Sequence, residues 1–188
     1  QDDTLVVVDP VLGDNGRLYN KITEEMVSEM RVLAKRGDVL TPNLTEVFAL
    51  LGHAYHPDCT DKELKDMIAE LSAMGPDTVI ITGVPVKDEP KLTAVIAKSR
   101  SDGRTWKVTC PYLPAHYPGT GDTFTSVVTG SLLQGDSLPI ALDRAVQFIL
   151  QGIRATFGYQ HDNREGILLE RVLPNLRMPI QISSYELV

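Results

Sequence analysis

A carboxylate set among glycines is the first place where this chain could do chemistry, in Pro118-Gly119-Thr120-Gly121-Asp122-Thr123-Phe124. Phe124, Val127, Val128 and Leu132 then recur at helical spacing, so a helix is predicted from about Asp122. A glycine turn that opens a helix lets a ligand approach the main chain. It also aims unpaired N–H groups and the positive end of the helix dipole at one spot. Such a spot suits an anion, phosphate above all. Asp122 is out of place there as a ligand, because a carboxylate repels phosphate. Two readings stand. Asp122 is a helix N-cap, or it is a general base that takes a proton from a hydroxyl as that hydroxyl attacks phosphorus.

Other polar groups follow the ends of apolar runs. Leu5-Val6-Val7-Val8 is short, β-branched and continuously apolar, as a strand buried on both faces of a parallel sheet would be. Ligands of open α/β sheets sit beyond the carboxyl ends of strands, which is where Asp9, Asp14 and Tyr19 fall, in the loop Val11–Asn20. Taken alone, Asp14-Asn15-Gly16 reads better as a turn. Asp38-Val39-Leu40-Thr41 is a second strand, stopped by Pro42. Asn43 and Glu46 then share the first turn of a helix running to about Leu51, a capping-box arrangement that nevertheless stands at a strand end. A third buried strand, Asp77–Gly83, ends on the hydroxyl of Thr82. His53, His56, Asp58 and Cys59 crowd Gly52–Thr60 but lack a second ligand pair at a recognisable spacing, so they read as a polar loop and not as a zinc site.

The elements that must position these groups alternate. Thr23 caps a helix that carries Met26, Val27, Met30 and Leu33 and ends near Gly37. Thr60 and Glu63 form a capping box before a helix with Leu64, Met67, Ile68 and Leu71 inward, ended by Gly75-Pro76. Leu92–Lys98 and Thr105–Thr109 are β-rich and joined through Asp102-Gly103, a hairpin signal. After the glycine motif, Ser137 caps a helix with Pro139 in its first turn, running to about Gly158. The tail Gly166–Val188 reads as irregular, with one short strand.

A chain of 188 residues with 43% hydrophobic and 23% charged residues is an ordinary globular domain. Its formal charge of −7 argues against nucleic acid or an anionic membrane as a general partner, while leaving room for phosphate held by backbone N–H groups and a metal ion. No apolar run is long enough for a bilayer-spanning helix. Cys59 and Cys110 stand far apart, as reduced thiols of a cytoplasmic protein would. The chain starts at Gln1 and reaches the strand Thr4–Val8 almost at once, so a further N-terminal portion is expected to precede it.

Four elements thus stand in order: Asp9-Pro10-Val11-Leu12-Gly13-Asp14 with Tyr19; Thr41-Pro42-Asn43 with Glu46; Val79-Ile80-Ile81-Thr82; and Gly119-Thr120-Gly121-Asp122. Together, with a hairpin between the third and fourth, they resemble the pyridoxal kinase branch of the ribokinase superfamily. There is no G-x-x-x-x-G-K-[ST] for a mononucleotide P-loop and no G-x-G-x-x-G after a strand. The resemblance implies an α/β fold, a three-layer ribokinase-like sandwich with a mainly parallel central sheet and an edge β-hairpin. It implies one kinase domain over residues 1–188, lacking the family's first strands, which supply most of the pyridoxal pocket and part of a homodimer interface.

The resemblance also implies roles. Asp122 matches the catalytic base, facing the substrate hydroxymethyl, and Gly119, Thr120 and Gly121 match an anion hole for the transferred phosphoryl. Thr82 matches a phosphate contact, Asp14 and Tyr19 a loop over the ATP phosphates, and Tyr117 a side chain along the nucleotide. Asp9, Asn43 and Glu46 match a cluster organising Mg²⁺, partly through water, with a monovalent cation such as K⁺ nearby. The implied activity is ATP-dependent phosphorylation of the 5′-hydroxymethyl group of pyridoxal, pyridoxamine or pyridoxine. The same chemistry on hydroxymethylpyrimidine is the runner-up, and a non-catalytic nucleotide-binding relative or fragment is the alternative of another class.

Overall fold

Short β-branched runs align the ends of the strands from which the polar groups project. The computed structural model of the protein describes residues 4–114, 117–159, 162–179 and 185–188. The chain gathers into two compact units, Gln1–Lys107 with Glu186–Val188, and Val108–Tyr185. In chain order the elements are β1 (Val7–Val8), β2 (Gly13–Asp14), β3 (Arg17–Leu18), α1 (Glu24–Ala34), β4 (Val39–Leu40), α2 (Leu44–Leu51), α3 (Asp61–Met74), β5 (Thr78–Pro85), β6 (Leu92–Ser99) and β7 (Thr105–Pro111). There follow α4 (Thr120–Leu133), α5 (Leu138–Thr156), α6 (Leu169–Val172) and β8 (Tyr185–Leu187), with 3₁₀ turns at Asn163–Glu165 and Leu173–Arg177.

The main sheet runs β1-β4-β5-β6-β7-β8, and β2 and β3 form a separate hairpin. β1 pairs with β4 and β4 with β5, both parallel, as expected of the three apolar runs. Val8 accepts from the Thr41 N–H at 3.1 Å and Pro42 accepts from Thr82 at 2.9 Å, so the ladder extends past the short strands to the residues that follow them. Val79, Ile80 and Ile81 are all fully buried although successive side chains face opposite sides, so both faces of β5 are covered. β6 is antiparallel to β5, with an irregularity between Ile81 and Val84. The predicted hairpin, β6 with β7, thus extends the sheet away from β1, and β8 adds a last short strand through Val188 N–H to the Thr105 carbonyl at 3.0 Å.

Three helices share the core of the first unit. α3 buries Leu64, Met67, Ile68 and Leu71, the face its spacing predicts, and α2 buries Leu44, Val47, Phe48 and Leu50. In α1, Val27 and Ala34 are inward, whereas Met26 and Leu33 are half exposed. Arg31 of α1 donates to the carbonyls of Leu50 and Ala49, at 2.7 Å each, and so closes the C-terminal end of α2.

In the second unit, α4 and α5 pack together. Their connection is held by Asp136, whose Oδ2 accepts from Ser131 Oγ at 2.5 Å and from Arg144 Nε and Nη2 at 3.3 and 3.2 Å. Tyr117, Ile153 and Ile167 form an apolar cluster of their own. The tail, expected to be irregular with one short strand, has that strand in β8 but also carries α6 and a 3₁₀ turn; its residues 180–184 lie outside the described residues.

Candidate functional site

In the first unit the polar groups meet where β1 and β4 end, beside Thr82; β5 runs on to Pro85, past the end the sequence suggested, with its irregularity between Ile81 and Val84 at this point. Thr41 Oγ1 lies 3.4 Å from Asp9 Oδ1, and Asn43 forms a parallel bridge with Thr82. Asn43 is the N-cap of α2: its Oδ1 accepts from the Glu46 N–H at 3.0 Å, and Glu46 Oε2 accepts in return from the Asn43 N–H at 2.8 Å. The capping box of the sequence is therefore present. It also reaches further than a cap requires. Glu46 Oε1 accepts from the Leu12 N–H at 3.0 Å, and Asn43 Nδ2 donates to the Gly13 carbonyl at 2.8 Å. The first turn of α2 thereby grips the chain that leaves β1, across more than thirty residues of sequence.

Glu46 is only 4% exposed. Burial, opposed by the N–H groups of Asn43 and Leu12 and reinforced by the charge on Asp9, pushes its carboxyl up to about 8. The Gly13 N–H bears on the carboxylate as well, so three of its four lone-pair positions face backbone N–H groups and one stays open, while Asn43 Nδ2 has a second hydrogen beyond the one it gives to Gly13.

The loop after β1 is a two-residue hairpin. Asn15 and Gly16 take φ of 50° and 75°, the left-handed pair of a type I′ turn, between Asp14 and Arg17. The Asp14 carboxylate accepts from the Asn15 N–H at 2.8 Å and from Asn15 Nδ2 at 3.0 Å, so the turn reading of this tripeptide is observed. Tyr19 is half exposed and donates its N–H to the Leu12 carbonyl at 3.0 Å. The Gly16 N–H is held by Thr45 Oγ1 at 2.9 Å, again from the first turn of α2.

In the second unit, α4 begins at Thr120, earlier than expected, and Gly119 is its N-cap with φ of 84°. That left-handed conformation suits glycine, and glycine brings no side-chain cap. Thr123 supplies the first intrahelical N–H, to the Gly119 carbonyl at 2.9 Å, so the N–H groups before it have no helical acceptor to reach. Asp122 is the third residue of the helix and is exposed. Its Oδ2 stands 3.9 Å from where a Cβ on Gly119 would be, leaning back over the turn. The N-cap reading of Asp122 is thereby corrected: the cap is Gly119, and Asp122 is a first-turn carboxylate. Tyr117 is buried against Ile153 and Ile167, and a Cβ on Gly166 would meet the Pro118 carbonyl at 2.7 Å, so the turn rests on packed neighbours.

Sequence spacing does not reveal the bonds from Glu46 to Leu12 and from Thr45 to Gly16, nor Tyr55, whose ring lies beneath Gly16. The only hint of them is the pair of glycines, Gly13 and Gly16, in so short a loop. In the Gly52–Thr60 loop, burial, with the charges of Glu63 and Asp58, pushes the Cys59 thiol up to about 11. Among the described residues, no helix is long and apolar enough to cross a membrane.

The family model for phosphomethylpyrimidine kinase matches residues 1–166 of the chain. A Bacteroides thetaiotaomicron protein named as a phosphomethylpyrimidine kinase, crystallised in an orthorhombic form with pyridoxal, is 69% identical; the match covers 100% of this chain and 66% of that one, with a TM-score of 0.96. The crystal structure of pyridoxal kinase from Lactobacillus plantarum is 33% identical over 92% of this chain and 61% of its own, with a TM-score of 0.80. A Caenorhabditis elegans protein named as a pyridoxal kinase is 33% identical over 160 residues, 84% of this chain and 48% of its own length. The chain spans about half the length of the curated relatives it matches.

Proposed function

We propose that this chain, which belongs to the phosphomethylpyrimidine kinase family within the pyridoxal kinase branch of the ribokinase-like superfamily, transfers the γ-phosphoryl group of ATP to the 5′-hydroxymethyl of pyridoxal, pyridoxamine or pyridoxine. One observation carries the reading: Asp122 is an exposed carboxylate in the first turn of a helix whose cap is a left-handed glycine, so capping does not account for it. Asp122 takes the hydroxymethyl proton as that oxygen attacks the γ-phosphorus, and the bond to the bridging oxygen breaks to release ADP. The N–H groups around Gly119, Thr120 and Gly121 meet the charge that grows on the transferred phosphoryl. Tyr117, buried against Ile153 and Ile167, would back that turn where the family likeness puts the nucleotide.

In the first unit, Thr82 contacts phosphate, and Asp14 and Tyr19 on and beside the β2–β3 hairpin lie over the ATP phosphates. The donor set fits Mg²⁺. Asp9 and Glu46 are two carboxylates and not a closed cage, Glu46 keeps one lone pair open, and Asn43 orients it; Mg²⁺ favours few carboxylates, several waters and the substrate's own phosphates. When bound, the ion would neutralise charge on the β- and γ-phosphates, with K⁺ beside it. A cytoplasmic homodimer is the assembly that the family likeness supports.

The family model's description favours a second reading, hydroxymethylpyrimidine as acceptor. Phosphorylation of pyridoxal and of hydroxymethylpyrimidine by the purified protein, compared by kcat/KM, decides between the two. Asp122→Asn tests the base. Loss of the charge at the helix N-terminus costs about 0.3–1 kcal/mol of stability at most. ATP affinity measured by calorimetry should hold or improve, while turnover falls about 10²–10⁴-fold. Turnover within a few-fold of the parent overturns the assignment, as expected of the non-catalytic alternative.

A further inference from the structure

The hairpin of β2 and β3 has two residues in each strand, too few to stand alone in water. Its stem is tied by Glu46 to Leu12 and by Asn43 to Gly13. Its tip is held differently. A Cβ on Gly16 would lie 2.6 Å from both Cδ1 and Cε1 of Tyr55, so the Tyr55 ring is packed against the bare backbone of the turn. Gly16 also gives its N–H to Thr45 Oγ1 at 2.9 Å. Tyr55 is itself located by Phe48, ring centroids 5.4 Å apart and edge to face, and His56 meets the same Phe48 ring at 5.0 Å. Phe48 is 3% exposed and belongs to the core. A line of contacts therefore runs from the core through Phe48 and the partly exposed Tyr55 to the backbone of Gly16. Burial first, then the neighbouring Cys59 and Asp14, raise the Tyr55 phenol above its ordinary value, and its hydrogen bond with Thr45 opposes the rise. The phenol is neutral and brings no charge towards the turn.

We propose that Tyr55 is a positioning residue: by seating Gly16 on its ring, together with Thr45 on the Gly16 N–H, it fixes the hairpin tip at the height where Asp14 meets the nucleotide phosphates. The last part rests on the kinase reading given above. The ring carbons meet Gly16 directly, and the hydroxyl adds to the seat through its bond with Thr45, which holds the Gly16 N–H. Tyr55→Phe keeps the ring and loses only the bond to Thr45, so it should retain most of the function that Tyr55→Ala loses.

Two measurements on the full protein test this. Hydrogen exchange of the Gly16 amide without nucleotide should speed up by about tenfold or more in Tyr55→Ala and by much less in Tyr55→Phe, with the Val47 amide unchanged in both. Steady-state kinetics should show KM for ATP raised by about tenfold in Tyr55→Ala, with KM for pyridoxal and kcat at saturating ATP within about twofold. A Gly16 amide that exchanges alike in parent and Tyr55→Ala overturns the proposal. So does a rise in both KM values with a fall in kcat that tracks a lowered melting temperature, or a Tyr55→Phe variant as impaired as Tyr55→Ala. If the parent binds no ATP by calorimetry, the kinase reading fails by itself, and the Gly16 amide alone then decides whether Tyr55 sets the hairpin.

Discussion

Glu46→Gln separates the electrostatics of the first unit from its geometry. The Glu46 carboxyl stands at about 8 in the folded protein against an ordinary 4.5, because it is buried beside Asp9. The folded chain thus holds a proton that the unfolded chain releases at lower pH. The associated stability is complete below about pH 4.5 and is lost as pH rises to about 8, with no further loss beyond. At about 1.4 kcal/mol per unit the full span is on the order of 5 kcal/mol, and the part between pH 5.5 and pH 8.5 is on the order of 3 kcal/mol. Glutamine does not titrate. It offers one acceptor oxygen where Glu46 uses two, so an amide NH₂ faces the N–H of Leu12 or Asn43. Leaving that buried donor unmet costs about 1–3 kcal/mol. Urea unfolding in a chelator should find Glu46→Gln less stable than the parent at pH 5.5, and equal or more stable at pH 8.5. Mg²⁺ at a hundredfold its dissociation constant should then restore about 2.7 kcal/mol to the parent at pH 8.5, and much less to the variant. Stability curves that run parallel from pH 5.5 to pH 8.5 would refute the argument about burial. Equal magnesium stabilisation of the two proteins would remove Glu46 from the metal site.

Two further outcomes follow from packing. Gly166→Ala places a Cβ 2.7 Å from the Pro118 carbonyl at a φ of 75°, so it should lower the melting temperature by an amount corresponding to about 1–3 kcal/mol and lower kcat through the displaced turn. Gly158→Ala, with nothing within 4 Å, is the control, and equal effects of the two would refute the contact. Phe48→Ala should cost about 3–5 kcal/mol in urea unfolding and loosen Tyr55 and His56 together, visible as convergence of their ring signals toward exposed values.

The local grammar of this sequence is readable where one residue's partner lies within a turn. Thr23, the Asn43–Glu46 pair and the Thr60–Glu63 pair cap the helices that their spacing predicts, and α3 buries the four residues that its periodicity selects. Legibility fails where the partner is remote. α1 offers apolar residues on more than one side, and the sheet and α2 decide that Val27 and not Met26 is covered. β1 and β4 are only two residues each, although their backbone bonds run on to Thr41 and Thr82, because Asp9-Pro10 and Pro42 turn the chain soon after. Asp122 could be mistaken for a cap because capping depends on which residue leaves helical backbone angles, and Gly119 does so three residues earlier. Of the candidate site, the sequence names Asp9, Asn43, Glu46 and Thr82, but the bonds that draw the hairpin to them span about thirty residues and carry no periodic signal.

The two capping boxes show what the first unit asks of Glu46. Thr60 and Glu63 make the same reciprocal pair as Asn43 and Glu46, yet Glu63 lies at the exposed surface, where its bond from the Thr60 backbone holds its carboxyl below the ordinary value. Glu46 makes that bond too, with the N–H groups of Leu12 and Gly13 besides, and still stands far above the ordinary value, because burial outweighs all three. Capping therefore does not explain where Glu46 sits; a cap works as well in water and without the cost of desolvation. A charge that is expensive to keep where it is needs a counter-charge or a partner in its working state. The neighbouring Asp9 cannot be that partner, since its own charge adds to the penalty. A cation bound beside both carboxylates would relieve burial and repulsion at once, and would hold Glu46 ionised while its N–H bonds continue to fix the hairpin.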